Sequence, residues 1–129
     1  MDEKERYENG MARRRQVLGA AWVDRANEKK NSFNEEFQNF ITRGAWGEVW
    51  TRPHYEERTR RILVIGTMIA LGQWDEFRLH VRAALAEGGF SEDDIKEIIL
   101  QQAVYCGVPA ANHAFKEAAD VIAELAKEK

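Results

Sequence analysis

Apolar and polar positions recur with a helical period along almost the whole chain. Val17, Leu18, Ala21 and Trp22 fall at helical spacing, which predicts a helix over 13–27. Ser32 or Asn34 is placed to cap a second helix that carries Phe33, Phe37, Phe40 and Ile41 on one face. Gly44 and Gly47 interrupt that pattern and Pro53 stops it, so 44–54 reads as an ordered connection. A third helix over 56–71 starts charged and becomes apolar all round, the pattern of a central, buried helix. Gly72 ends it. The helix predicted over 75–87 sets Phe77, Val81, Ala84 and Leu85 on one arc, and Gly88-Gly89 terminates it. Ser91, followed by Glu92, Asp93 and Asp94, is an N-cap with an acidic first turn. It opens a helix through Ile95, Ile98, Ile99 and Ala103 to Cys106. Pro109 suits the first turn of a last helix with Ala111, Phe115, Ala118, Ile122 and Leu125 on one face. No segment alternates as a strand does. The fold class is all-α, with about six helices.

Composition narrows this further. A chain of 129 residues is sized for a single domain, 1–129, and 44% apolar with 32% charged residues is a globular balance. A net charge of -3 gives no electrostatic case for a nucleic-acid partner, so an anionic ligand must be drawn by local arginines. A lone cysteine excludes an internal disulfide and fits a reducing compartment. The charged start Met1-Asp2-Glu3-Lys4-Glu5-Arg6 is no signal peptide. The longest apolar run, Ile62 to Leu71, is half of the roughly 20 residues a membrane helix needs. A cytoplasmic protein with no membrane partner is expected. The all-apolar helix, with four tryptophans and six phenylalanines, is more apolar surface than one small bundle hides, so a homo-oligomer is expected too.

The chemistry-bearing residues are few. Arg43, Arg52, Arg58, Arg60 and Arg61 fall within nineteen residues around a Gly-Trp-Gly segment. Guanidinium forks bind carboxylates bidentately, and tryptophan supplies stacking surface and excludes water. Arg58, Arg60 and Arg61 also suit ion pairs with Glu56, Glu57 or a neighbouring subunit. Glu76 and His80 stand four apart and share a helix face, where a carboxylate holds the imidazole in one tautomer and raises its proton affinity. That arrangement suits a general acid, and a hydrogen-bonded core histidine equally fits the pattern. His113, near the start of the last helix, reads as a neutral hydrogen-bond partner or a subunit contact. Cys106 reads as a small buried filler and His54 as a loop residue. The histidines have no metal-ligand spacing, and no phosphate loop, dinucleotide fingerprint or nucleophile elbow is present. No metal and no cofactor are expected.

Two dense segments, Thr42 to Pro53 and Ala103 to Phe115, set aromatic, small and ionisable residues side by side. With Leu79-His80-Val81-Arg82 between them, they resemble the 4-carboxymuconolactone decarboxylases of the alkylhydroperoxidase-like superfamily. Further matches are Arg15-Gln16-Val17-Leu18-Gly19, Val23-Asp24-Arg25-Ala26, Glu57-Arg58-Thr59-Arg60 and Ala70-Leu71-Gly72. Ala45-Trp46-Gly47-Glu48 and Tyr105 to His113 look specific to the decarboxylase branch. The resemblance implies an alkylhydroperoxidase-like helical fold in ring-like oligomers, commonly hexamers. The superfamily's redox members carry Cys-x-x-Cys-x-x-x-His. With their histidine set on His80, their cysteines fall at Gln73 and Glu76, so peroxidase chemistry is excluded.

The implied reaction is decarboxylation of 4-carboxymuconolactone to 3-oxoadipate enol-lactone in protocatechuate breakdown by the β-ketoadipate pathway. Its substrate is a small dicarboxylate lactone that carries its own electron sink. The residues that suit this reaction are His80, Glu76 and His113 as a catalytic set, with Arg43, Trp46, Glu48, Arg52, Arg58, Arg60 and Cys106 around the substrate. The alternatives are a non-catalytic helical oligomer that binds a small carboxylate, and a same-fold enzyme acting on a related lactone.

Overall fold

Asp2 accepts a hydrogen bond from the Glu5 amide (2.8 Å) and caps α1 (Glu3–Leu18). It is the first residue that the computed structural model describes. The description covers residues 2–128, so Met1 and Lys129, the ends of the expected 1–129 domain, lie outside the described residues. Gly19, at φ 95°, separates α1 from α2 (Ala20–Glu28). The single helix expected over 13–27 is therefore two, broken at a backbone conformation that glycine alone adopts cheaply.

Neither Ser32 nor Asn34 caps α3 (Glu35–Ile41) by a side-chain hydrogen bond. Asn31 Oδ1 instead accepts from the Phe33 and Asn34 amides (2.9 and 3.1 Å), an Asx turn that feeds the helix. Phe33, Phe37 and Phe40 are exposed rather than core residues of this chain.

α3 then continues into a π-helical segment, Thr42–Val49, closed by the Trp50 amide donating to the Ala45 carbonyl (2.9 Å). The connection expected over 44–54 is thus helical as far as Val49. The cause is close packing on α1. A Cβ at Gly47 would stand 2.2 Å from the Arg6 carbonyl oxygen, and one at Gly10 only 2.0 Å from the Thr42 carbonyl oxygen.

After Glu57 the chain divides into two compact units. The first holds α1 to α3 and the π-helical segment. The second is built from α4 (Glu57–Leu71), α5 (Trp74–Ala86), α6 (Glu92–Cys106) and α7 (Val108–Lys127). Ser91 and Asp94 form a reciprocal capping box on α6, and Pro109 sits in the first turn of α7, both as expected. Ile65, Ile69, Phe77, Val81, Ala84, Ile95, Ile99, Ala114 and Val121 are the centre of this unit's core.

Two expectations about faces change. Along α4 the fully buried ridge is Arg61, Ile65 and Ile69, whereas Ile62, Leu63 and Leu71 are 40–63% exposed. They line an open groove of about 580 Å³ with Ile98 and Gln102 of α6. On α7 the inward line is Ala111, Ala114, Ala118 and Val121, while Phe115 is exposed and Ile122 half-buried. Small side chains take the inner positions because they let α7 lie close to α5 and α6; the larger ones flank the contact. Among the described residues there is no strand, and no helix long and apolar enough to cross a membrane.

Candidate functional site

The one polar ring that the second unit buries is His80. Phe77, Val81 and Ala84, its neighbours on the inner arc of α5, are fully buried and carry His80 inward to 6% exposure. Its proton affinity runs opposite to the expectation from Glu76. Burial first, and the nearby Arg61 guanidinium second, push the imidazole pKa from 6.5 down to about 4. Glu76 is exposed, and its carboxylate stands 3.8 Å from Nε2, too long for a hydrogen bond. Solvent screens that contact, so the buried environment wins. At pH 7 the resting ring is neutral.

The depressed value has a stability consequence with a definite sign. Between pH 6.5 and 4 the unfolded chain binds a proton at this residue that the folded chain refuses. His80 therefore costs nothing above pH 6.5, and stability is lost as pH falls toward 4, by about 3 kcal/mol in total. Urea midpoints at pH 7 and pH 4.5 should show a smaller acid loss in His80→Gln than in the parent. Equal acid loss in the two proteins would place the sensitivity in another group.

His113 lies on the surface of α7, apart from that arc. Its ring stacks on Trp74 (centroids 4.1 Å, planes 8° apart), and Nε2 is 3.2 Å from Glu117 Oε1. Glu117 also accepts from Arg78 Nη1 (2.7 Å), and this hydrogen bond, with His113 adding to it, holds the carboxyl below its ordinary range. His113 thus has a carboxylate and an indole as partners, and the structure pairs neither Glu76 nor His80 with it. Cys106, half-buried at the end of α6, is 3.7 Å from Gln102 Nε2, whose amide also donates to the Gly66 carbonyl (3.1 Å). That bridge ties α6 to α4 and leaves Cys106 a packing role.

Of the clustered arginines, Arg58 and Arg43 have acidic partners. Arg58 pairs with Asp94 (2.9 Å) and lies over the Phe90 ring (4.4 Å). In the first unit Arg43 pairs with Glu3 (3.0 Å), and Glu48 lies 3.7 Å from Arg6. For Arg58 the acidic partner is thus Asp94, from another helix, rather than Glu56 or Glu57. Trp46 is buried and stacks on Trp50 (4.9 Å), whose carbonyl accepts from Arg13 Nη1 (2.9 Å). Arg52 is exposed just past the π-helical segment, and Arg60 is half-buried on α4.

Sequence reasoning left Gly88 and Trp74 out of the site, and grouped Arg61 with the candidate anion-binding arginines rather than with the core. For Arg61 a signal existed, since it stands at the four-residue step of Ile65 and Ile69 and so on the core ridge of α4.

Comparison with known proteins supplies the chemical class. Residues 35–120 match the Carboxymuconolactone decarboxylase family. The chain is 44% identical over 125 residues to the 4-carboxymuconolactone decarboxylase of Acinetobacter baylyi, covering 97% of this chain and 92% of that protein. It is 62% identical over 48 residues to a 4-carboxymuconolactone decarboxylase sequence from Pseudomonas putida, 37% of this chain and 100% of that sequence. It is also 37% identical over 108 residues to a nitrosuccinic acid decarboxylase of Metarhizium robertsii, 84% of this chain and 75% of that protein.

Proposed function

The chain belongs to the carboxymuconolactone decarboxylase family, and we propose on that footing that it decarboxylates 4-carboxymuconolactone to 3-oxoadipate enol-lactone. The observation that carries this reading is the near full-length identity to the Acinetobacter enzyme. The family match runs across the Glu57/Arg58 junction, which supports treating 1–129 as one catalytic domain.

The chemistry asks three things of the protein. It must hold two carboxylates, accommodate electron density that flows from the departing carboxylate into the unsaturated lactone, and place a proton on the lactone α-carbon. The lactone is the electron sink, so the residues need only bind, orient and move a proton. His80 is the proton-transfer residue of this reading, and His113 or an arginine stabilises the developing oxyanion. Arg43, Arg52, Arg58 and Arg60 hold substrate carboxylates in this reading, since ion pairs near the surface exchange partners at small cost. Trp46 offers the substrate a stacking surface in this reading, and Cys106 is a small filler. Arg52→Ala and Arg60→Ala should each mainly raise KM, as loss of uniform binding does. Unchanged KM in both would move the anion site elsewhere.

The apolar groove between α4 and α6 supports a homohexamer rather than a substrate pocket. Ile62, Leu63, Ala70, Leu71 and Ile98 give it a broad apolar wall, and Asp94 and Glu97 at its side are ill suited to an anion. A second chain's apolar face suits it better than a dianion. The setting we propose is a cytoplasmic, soluble enzyme of protocatechuate degradation.

The Metarhizium relative favours one further substrate class. Nitrosuccinate, like the lactone, loses carbon dioxide beside a group that accepts the electron pair, here a nitro group that becomes a nitronate. The test is purified protein mixed with 4-carboxymuconolactone generated in situ, with nitrosuccinate in parallel, following carbon dioxide and enol-lactone. Rapid turnover of the lactone establishes the reading, and turnover of nitrosuccinate alone replaces the substrate. Binding without turnover of either identifies a carboxylate-binding oligomer.

A further inference from the structure

Every decarboxylation of this kind consumes one proton, and the second unit contains a buried cation positioned to govern it. Arg61 is 1% exposed on α4, on the ridge of Ile65 and Ile69. A charge so placed needs a prepared seat. Its Nε and Cδ lie 2.7 and 2.9 Å from where a Cβ on residue 88 would stand, so glycine there leaves the room the side chain occupies. The Gly88 amide donates to the Ala83 and Ala84 carbonyls (both 3.1 Å), which puts Arg61 against the carbonyl end of α5, where a cation is favoured. His80, Ala84 and Gly88 follow one another at four-residue steps, and hence lie on one stripe of α5 and its end. Arg61 over Gly88 therefore lies along that stripe, about two helical turns from His80, and acts on it through the buried interior.

The other charges around α5 are directed elsewhere. Glu76 is exposed, and Arg78 and Arg82 bind Glu117, Glu124 and Glu128 of α7. The inward face of α7 is alanine and valine.

Resting on the decarboxylase reading, we propose that Arg61, seated by Gly88, is a positioning residue that makes the proton on His80 conditional on substrate. In the empty protein burial keeps the imidazole neutral, and the guanidinium adds to it. A bound dicarboxylate brings two negative charges that offset Arg61, and His80 takes one proton from water. The bond from the γ-carbon to the carboxylate breaks, carbon dioxide leaves, and the electron pair enters the lactone. His80 gives its proton to the α-carbon and returns to the neutral form. Dianion plus one proton gives monoanion plus carbon dioxide, so the ledger closes in each turnover.

The experiment is ¹⁵N NMR titration of the His80 ring in the parent, Arg61→Met and Arg61→Lys, with pH profiles of the same proteins. In Arg61→Met the His80 midpoint should rise by about one pH unit or more, and Arg61→Lys should stay near the parent. In the parent, kcat/KM should fall about tenfold per pH unit between pH 5 and 8 while kcat stays level, because the proton is acquired on binding. In Arg61→Met, kcat/KM should stay level up to the raised midpoint. A folded Arg61→Met with an unmoved midpoint overturns the proposal. If that variant does not fold, Gly88→Ala, which must displace the guanidinium, serves in its place, and an unmoved midpoint there overturns it equally. The titration needs no substrate. A moved midpoint in a protein that does not turn over the lactone supports the Arg61–His80 coupling and overturns the decarboxylase reading alone.

Discussion

Replacing His80 with glutamine should lower kcat on 4-carboxymuconolactone by about 10²–10⁴. Glutamine keeps much of the ring's bulk and a donor near Nε2, but it carries no transferable proton at any working pH. The side chain sits in a wall of Phe77, Val81 and Ala84, so water does not easily replace it as a proton source. The substitution should not unfold the protein, since it removes a group whose charging is destabilising below pH 6.5. Steady-state kinetics on a variant with parental helical content and a reduced acid loss is the measurement. Near-normal kcat in that folded protein would remove His80 from the proton transfer and promote an arginine or His113. The variant also separates enzyme from binding protein, because a carboxylate-binding oligomer has no turnover for it to change.

The inward position of His80 was legible because helical phase is a strong signal: a ring between Phe77 and Ala84 goes where they go. The caps of the second unit were legible for a similar reason, since Ser91 with Asp94 and Pro109 each satisfy a local hydrogen-bonding rule. What phase does not carry is electrostatic sign. Glu76 is the neighbour of His80 in sequence, but burial sets the sign, and Arg61, which adds to it, comes from another helix and acts through the interior. The break at Gly19 and the π-helical turn were hidden by the opposite failing. Glycines at 44 and 47 read as interruptions, whereas Gly47 is there for contact with another helix. Size misled on α7, where Phe115 outweighs Ala114 in any hydrophobic tally yet the alanine is the core residue.

Gly10→Ala should be among the most destabilising single-methyl changes in the chain. On local propensity alone the substitution ought to help, because Gly10 lies inside α1 and alanine is worth about 1 kcal/mol there. Tertiary geometry decides otherwise. The added Cβ would sit 2.0 Å from the Thr42 carbonyl oxygen and 2.8 Å from the Gly47 amide nitrogen, both backbone atoms that no rotamer change can move. To restore contact distance, α1 and the π-helical segment must separate by about 1 Å, and overpacking of that kind costs about 3 kcal/mol or more. The propensity gain offsets about a third, leaving a net loss of about 2 kcal/mol, or roughly 8 °C in Tm. Gly44→Ala is the matching control in the same segment. Nothing lies within 4 Å of its Cβ, so it should leave Tm unchanged or raise it slightly. Thermal melts of the two variants side by side decide the matter. A Gly10→Ala protein as stable as Gly44→Ala would mean that α1 does not bear on the π-helical segment as closely as the geometry requires. A selective loss would show that the Trp46–Trp50 segment is held in place by bare backbone against bare backbone.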